Sequence, residues 1–311
     1  STAIYFDISK LDKYPVLSNL DVENQKAGAR VEVDTEKRNP HDFAVWIKAP
    51  ENHLMKWDSP WGPSYPGWHI ECSVMSQKYL GEVFDIHTGG IDLIPTHHEN
   101  EIAQSKGMCG KIPANYWMHG EFLLINGGKM SKSLGNVYLL QDIVDRGYDP
   151  LVYKLFCYSI QYRKKLNFTW EGMDSAKIAL DRLREAYQKH LTGTEDVAEE
   201  LISKYEKDFN EAINDDLNMP VAMSVVWEVA KRTEKSKKLA ELLKKFDRVL
   251  GIKIDEHKEE EIPDDIKELL TKRAEARKNK DWAESDKIRD IIKEKGYIVK
   301  DSKEGQTVEK C

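Results

Sequence analysis

The stretch VFDIHTGGIDLIPTHHENEIAQS, residues 83–105, is the most informative part of the sequence about the fold class. Its first four residues are apolar apart from one aspartate, and this run predicts a strand. Gly89 and Gly90 follow as a turn, and the polar run after Pro95 predicts a helix that opens at His97. A strand, a glycine turn and a helix in this order are typical of an α/β domain.

Further strands are predicted on both sides of this stretch, at residues 4–6 (IYF) and 117–125 (WMHGEFLLI). Residues 57–68, which are rich in Pro and Gly, predict a loop. From about residue 150 the apolar residues recur every three to four positions, as in Leu180 and Leu183. We therefore expect a mixed α/β region followed by a bundle of amphipathic helices, with Pro220 in the first turn of one of them.

The last part of the chain reads as a separate small unit. Residues 254–266 are rich in Glu and predict a linker, and residues 264–295 predict a pair of charged helices. Gly296 is suited to end the second helix, and residues 298–301 (IVKD) predict a short strand.

Charge and cysteine content narrow the functional class. The 311 residues include 47 Lys and Arg and 54 Asp and Glu, so the formal net charge is −7. If the chain binds a nucleic acid, it must do so through a locally basic surface. No apolar run approaches the ~20 residues of a membrane helix, so we expect no membrane partner. The four cysteines show no disulfide-framework spacing, which predicts a reducing, cytoplasmic location.

The string KMSKSLGN, residues 129–136, places two lysines three apart behind Gly127 and Gly128. Small residues let the backbone approach a ligand closely, and the ammonium groups of Lys129 and Lys132 suit a polyphosphate. A solvated turn is the alternative for a short Lys-x-x-Lys-Ser pattern, but the full eight-residue string is far more specific.

A second set of residues has the chemistry of a metal site. His97 and Glu101 are four apart on the predicted helix, so their side chains share one face. With Cys72 of the upstream string GWHIECSVM, they offer an imidazole, a carboxylate and a thiolate, a donor set that zinc accepts. Spacing alone also fits a buried free cysteine and a polar surface helix. His98 lies off this face and is expected to be a supporting or surface residue.

The string from His87 to Asp92 is less specific. Glycines after a strand let a nucleotide approach the backbone, and Asp92 offers a carboxylate close by. A tight strand-to-helix turn explains the same residues equally well.

Taken together and in this order, GWHIEC, HTGGIDL, HHENEIAQS and KMSKSLGN resemble the cysteinyl-tRNA synthetase family of class I aminoacyl-tRNA synthetases. The resemblance continues in YRKKLNFTWEG, DDLNMP and residues 276–305, so it covers nearly the whole chain. It implies an α/β Rossmann-like class I catalytic portion, an α-helical bundle and a small C-terminal α/β unit. The implied divisions are residues 1–112 (second half of the catalytic domain, with the zinc site), 113–165 (stem contact, with the KMSKS loop), 166–253 (helical tRNA-binding bundle) and 254–311 (anticodon recognition).

The resemblance also implies a role for each matching residue. One zinc ion per chain would be held by Cys72, His97 and Glu101. The cysteine substrate would be lined by Trp68, and its ammonium group held by Asp92. ATP would be bound by His87, Gly89, Gly90 and Lys132, with Lys132 and Lys129 as the catalytic lysines.

The implied reaction is the ligation of L-cysteine to tRNA(Cys). ATP, with Mg²⁺, would activate cysteine to cysteinyl-adenylate, and zinc would select the thiol over the hydroxyl of serine. We expect a monomer. Two alternatives stay open: a ligase that joins cysteine to an amino sugar, with the same KMSKS loop and zinc-site architecture, and a tRNA-binding piece without catalysis of its own.

The chain departs from the family's pattern at several points. The family usually has Arg where Tyr65 stands and Phe-Pro where this chain has Pro95-Thr96, and both changes can alter the pocket wall. Neither a His-Ile-Gly-His-type motif nor the family's fourth zinc ligand, a cysteine, occurs at the start of the sequence. We therefore expect the chain to correspond to the C-terminal two-thirds of the enzyme and to be inactive without the N-terminal half.

Overall fold

A computed structural model describes residues 2–18, 36–256, 263–302 and 305–310. The chain divides into two compact units, Ser1–Asp255 and Glu256–Cys311, and each is described by itself. The predicted linker over residues 254–266 lies partly outside the described residues.

The first sheet contains β1 (Ala3–Phe6), β2 (Phe43–Lys48) and β3 (Ser64–Pro66), all antiparallel and in that order. Strand β3 lies within the stretch that was predicted to be a loop. Directly after it, a Cβ at Gly67 would lie 2.1 Å from the carbonyl oxygen of Ala44, so only glycine lets the chain pass this close to β2.

Residues 83–105 form a strand, two short helical turns and most of a helix. After α1 (Ile70–Leu80) come β4 (Phe84–Gly90), a 3₁₀ turn (Ile91–Leu93), a π-helical turn (Ile94–His98) and α2 (Glu99–Cys109). β5 (Ala114–Gly120) then pairs parallel with β4, because a crossover helix is what returns a chain in the same direction. The predicted strand and helix are confirmed, but Gly89 and Gly90 end β4 instead of forming a turn after it, and the α-helix begins two residues after His97.

The single strand predicted over residues 117–125 is wrong. The chain leaves β5 at Gly120 and forms β6 (Leu123–Ile125), which belongs to another sheet with β7 (Gly128–Lys129) and β8 (Leu166–Phe168), in the order β7-β6-β8. Between β5 and β6 the backbone N–H of Glu121 donates to the carbonyl of Tyr162 at 2.9 Å, so the chain changes its pairing partner there.

The predicted helical bundle is confirmed. Its helices are α3 (Leu140–Asp145), α4 (Pro150–Cys157), α5 (Trp170–Leu191), α6 (Glu199–Asn214), α7 (Met219–Ala230) and α8 (Lys237–Leu250). Pro220 lies in the first turn of α7. One hydrophobic core runs through these helices, and the rings of Phe209 and Phe246 stack inside it with centroids 4.1 Å apart. No helix in the described part of the chain is long and apolar enough to cross a bilayer.

The second unit contains α9 (Asp264–Lys278), α10 (Trp282–Glu294) and an antiparallel hairpin of β9 (Tyr297–Ser302) and β10 (Gly305–Lys310). The helix pair and the first strand are confirmed; β10 was not predicted. Arg273 of α9 is 1% exposed and donates to both carboxylate oxygens of Asp301, at 2.8 and 2.9 Å. This ion pair, in which the arginine is buried and the carboxylate is exposed, fastens α9 to the hairpin.

Candidate metal and nucleotide site

The turn into α1 places three site residues in one short segment. Trp68 and His69 precede the helix, and Cys72 lies in its first turn. The backbone of His69 has φ +97°, in the left-handed region that non-glycine residues rarely adopt. Such strain persists where the surroundings hold it, and here it sends the imidazole of His69 into the interior, where it is 7% exposed.

Cys72, His97 and Glu101 come together in the structure. One ligand atom from each lies within 4.8 Å of the other two. His97 and Glu101 are buried and Cys72 is half-buried. The π-helical turn carries His97 and the first turn of α2 carries Glu101, so the predicted four-residue spacing still puts both side chains on one side. Their role as zinc ligands is a prediction that this geometry favours.

The surroundings of Glu101 fit a cation. Its Oε1 lies 2.9 Å from His97 Nε2, yet this buried oxygen accepts no hydrogen bond from the described residues. A ring nitrogen and a carboxylate oxygen at this separation need a shared proton or cation between them. Burial, followed by the charges of Glu101 and Glu71, raises the pKa of the Cys72 thiol. A metal ion held here would supply positive charge that favours the thiolate form, and thiolate, imidazole and carboxylate are zinc ligands.

A second group of possible ligands shares Glu101. His87, His98 and Glu101 also lie within 4.8 Å of one another by their ligand atoms. His87 Nε2 is 2.8 Å from Glu101 Oε2, a hydrogen bond that orients the carboxylate so that Oε1 faces His97. The structure thus places His87 against a candidate metal ligand, and its role toward the nucleotide stays a prediction.

His98 is a buried supporting residue rather than a surface residue. It is 1% exposed, and its Nδ1 lies 2.7 Å from His119 Nε2 at the end of β5. Burial, then the neighbouring His87, His119 and His97, lowers the pKa of His98 to about 3, so the ring is neutral at pH 7. This leaves its imidazole as a hydrogen-bonding spacer between the π-helical turn and β5.

The glycines at the end of β4 are explained by close contacts within the chain. A Cβ at Gly89 would lie 2.6 Å from His98 Cε1, and a Cβ at Gly90 would lie 2.5 Å from Asp92 Oδ1. Asp92 itself is exposed on the 3₁₀ turn. The two glycines therefore let His98 and Asp92 approach β4, and their contact with ATP stays a prediction.

Trp68 lies over the candidate metal ligands, with its ring centroid 4.9 Å from that of His97. Its side chain is 58% exposed, so one face of the ring is open to a small molecule. Tyr65, where the family usually has Arg, stacks instead on His53 with centroids 4.2 Å apart. The aromatic ring predicted to line the cysteine pocket thus adjoins the candidate metal ligands.

The KMSKS loop is held at its base by one side chain. Asn136 Oδ1 accepts from the backbone N–H of Ser131 at 2.8 Å, and Nδ2 donates to the carbonyl of Lys129 at 2.9 Å. Lys129 and Lys132 are both exposed, and neither pairs with a carboxylate among the residues that the structure describes. Two free ammonium groups on a braced loop are suited to bind phosphate oxygens.

Sequence reasoning missed four supporting residues of this site. Glu99 is fully buried and accepts backbone N–H groups from Val16 at 2.8 Å, from Leu17 at 2.6 Å and from Ser18. The other three are Asn100, His69 and His119. All four stand in quoted strings, Glu99 and Asn100 in HHENEIAQS, His69 in GWHIEC and His119 in WMHGEFLLI, but only the fold shows what they contact. His119 can be recognised as a neighbour of the site only from the pairing of β5 with β4, which places it opposite Gly89.

Comparison with known proteins places the chain in a family. Residues 1–178 match the model of the tRNA synthetases class I (C) catalytic domain, residues 208–255 match the DALR domain and residues 259–308 match the cysteinyl-tRNA ligase anticodon binding domain. The cysteine–tRNA ligase 1 of Burkholderia lata is 44% identical over 308 residues, which is 97% of this chain and 64% of that protein. The cysteine–tRNA ligase of Treponema denticola is 42% identical over 331 residues, which is 96% of this chain and 67% of that protein.

The chain belongs to the cysteine–tRNA ligase family. The resemblance seen in the motifs is thereby confirmed, and the mixed α/β region with a helical continuation agrees with a class I catalytic domain followed by a DALR region. The chain spans about two-thirds of the length of these family members. Among solved structures it is similar to the Agrobacterium radiobacter K84 agnB2 LeuRS-tRNA-LeuAMS complex, with a TM-score of 0.49 and 15% identity over 64% of this chain and 32% of that one.

Proposed function

We propose that this chain takes part in the ATP-dependent activation of L-cysteine and its transfer to tRNA(Cys). The observation that carries this proposal is the convergence of Cys72, His97 and Glu101 beside the open face of Trp68. Such a donor set is useful for binding an amino acid whose side chain is a thiol. Membership of the cysteine–tRNA ligase family supports the same substrate.

Cys72, His97 and Glu101 would hold a zinc ion. When bound, zinc supplies a soft acceptor for a thiolate, which forms from a thiol of pKa near ~8.5, whereas a serine hydroxyl is far less acidic. This chain's own residues would orient the substrate: Trp68 would cover its side chain, and Asp92 would hold its ammonium group. Hydrophobic contact alone discriminates near-isosteres poorly, so selection needs such a chemical difference.

Lys132 and Lys129 would bind the phosphates of ATP, which enters with Mg²⁺. Attack of the cysteine carboxylate on the α-phosphate forms cysteinyl-adenylate and releases pyrophosphate. Much of this catalysis consists of positioning and of stabilising charge on phosphate oxygens. Asn136 holds the loop so that both lysines can meet these oxygens, and His87, Gly89 and Gly90 would border the nucleotide.

The match of residues 259–308 to an anticodon binding domain supports tRNA, and not an amino sugar, as the acceptor of cysteine. In that unit Trp282 is 58% exposed, and the guanidinium of Arg277 lies 6.0 Å from its ring centroid. Exposed aromatic rings beside cations suit bases splayed from a loop. The four-part domain division, the monomeric state and the cytoplasmic location stay predictions.

Cysteine-dependent ATP–pyrophosphate exchange tests the proposal. We expect exchange when the chain is mixed with a separate polypeptide carrying the N-terminal part of the Burkholderia relative, and at least a hundredfold preference for cysteine over serine. Cys72→Ser should abolish this preference, whereas Cys109→Ser, at another half-buried cysteine, should keep it. Equal exchange with serine, or coupling of cysteine to an amino sugar but not to tRNA, would contradict the proposal.

A further inference from the structure

A chain of hydrogen bonds leads from the candidate metal ligand His97 into the interior. His97 Nδ1 lies 2.9 Å from His69 Nδ1, and His69 Nε2 lies 3.1 Å from Asn100 Nδ2. The other end of the same amide, Asn100 Oδ1, accepts from the hydroxyl of Tyr14 at 2.8 Å. In this relay His69, His97 and Asn100 are all buried, so the contacts between these three side chains are shielded from bulk water, whereas Tyr14 at the far end is half-buried.

Proton counting couples the groups of this relay. A neutral imidazole has one N–H donor and one bare acceptor nitrogen. As the side chains stand, Asn100 Nδ2 can only donate to His69 Nε2, so His69 Nδ1 must carry the proton and donate to His97 Nδ1. A His97 ring that carries a single proton then has it on Nε2. In this direction His97 has no lone pair on Nε2 to give to a metal ion.

Turning the Asn100 amide by 180° reverses the relay without moving a ring. The oxygen and nitrogen of an amide occupy equivalent positions, so every heavy-atom separation is kept. His69 Nε2 then donates to the amide oxygen, its Nδ1 accepts from His97 Nδ1, and the amide nitrogen donates to the hydroxyl oxygen of Tyr14. His97 Nε2 becomes bare, and it is the nitrogen that lies 2.9 Å from Glu101 Oε1.

We propose that Asn100 and His69 are positioning residues that set the tautomer of His97, and that the zinc-loaded protein holds the relay in the reversed direction. The inference rests on the proposed zinc site. Ligating histidines generally donate their second ring N–H to a fixed acceptor, and loss of such a partner typically weakens metal binding 10- to 100-fold. Here the acceptor is the imidazole of His69, and the amide of Asn100 determines which nitrogen of that ring is unprotonated.

Nitrogen-15 NMR of the histidine rings tests the direction in the chain with its own sequence. In the chain loaded with Zn²⁺ we expect His69 to carry its proton on Nε2 and His97 to carry its proton on Nδ1, with His69→Gln used only to assign the signals. A zinc-loaded chain in which His69 carries its proton on Nδ1 overturns the inference and leaves the zinc site standing. A chain that takes up no stoichiometric Zn²⁺, like its Cys72→Ser variant, overturns both.

Two substitutions at one position give a second, independent measurement. Asn100→Asp provides only acceptors and so enforces the proton on His69 Nε2; we expect its Zn²⁺ affinity, from chelator competition, to stay within threefold of the parent. Asn100→Leu removes the acceptor and should weaken Zn²⁺ binding at least 10-fold. Asn210→Asp on the exposed face of α6 adds the same charge and should change nothing. An Asn100→Asp chain that folds by circular dichroism but binds Zn²⁺ as weakly as Asn100→Leu would overturn the inference.

Discussion

The two lysines of the KMSKS loop differ in how their backbones are held. Lys129 ends β7, and its carbonyl oxygen accepts a hydrogen bond from Asn136. Lys132 begins the 3₁₀ turn at the tip of the loop and is exposed. A lysine on the tip can follow the phosphates of a bound nucleotide, whereas a lysine in a paired strand keeps one place. This difference favours Lys132 as the group that meets the charge developing in the transition state.

Lys132→Ala is therefore expected to slow cysteinyl-adenylate formation about a hundredfold or more. A donor aimed at developing negative charge contributes about 2.7–4 kcal/mol to lowering the barrier, which corresponds to that range. The measurement is single-turnover adenylate formation in the mixture used for pyrophosphate exchange. Lys177→Ala, at an exposed lysine of α5, serves as the control. A loss of less than threefold at Lys132 would remove it from the phosphate site.

Among the helices and strands, the local sequence pattern predicted those whose periodicity lies within the segment itself. It failed where pairing with a strand far along the chain determines the structure. The strand and helix over residues 83–105 and the long amphipathic helices carry their periodicity within themselves. Residues 117–125 look like one strand because their apolar content is continuous, yet β5 pairs with β4 and β6 pairs with β8. A nine-residue pattern does not indicate which distant strand each part of it pairs with.

The ion pair between α9 and the hairpin predicts acid-sensitive packing. The side-chain hydrogen bond from Arg273, and further the charges of Arg273 and Arg277, lower the pKa of Asp301 to about 2. An unfolded aspartate has a pKa near ~3.9, so the folded chain binds this proton less tightly. The ion pair therefore contributes its full stabilisation above about pH 4 and loses it as the pH falls toward 2.

Amide exchange of α9 and β9 measures this loss. We expect their protection factors to fall between about pH 4 and pH 2 in the parent chain. Asp301→Asn should lower protection already at pH 6 and remove most of the further fall, because its amide does not titrate in this range. Asp290→Asn, at an exposed site on α10, should behave as the parent. Equal pH profiles for the parent and Asp301→Asn would show that the ion pair does not hold these elements together.

At the scale of the whole molecule, the candidate ligands were predictable and their support was not. Four-residue spacing was enough to bring His97 and Glu101 together, and the thiol of Cys72 completed a recognisable donor set. The neighbours that orient them, such as His87 against Glu101 and His69 against His97, come from separate elements that meet only in the fold. A metal ion at this point would join α1, the π-helical turn and α2.

Zinc should therefore stabilise the first compact unit as a whole. A ligand that binds only the folded chain adds about 2.7 kcal/mol to the free energy of unfolding at a hundredfold excess over its dissociation constant. We expect Zn²⁺ to raise the thermal midpoint of the parent chain by several degrees, as followed by circular dichroism of the bundle helices, and chelation to reverse the rise. Cys72→Ser should lose most of this response, and Cys109→Ser should keep it. Zinc binding at this site stabilises the folded state only if all of the ligand atoms are present. A thermal midpoint that rises equally in both variants would therefore mean that zinc binds elsewhere.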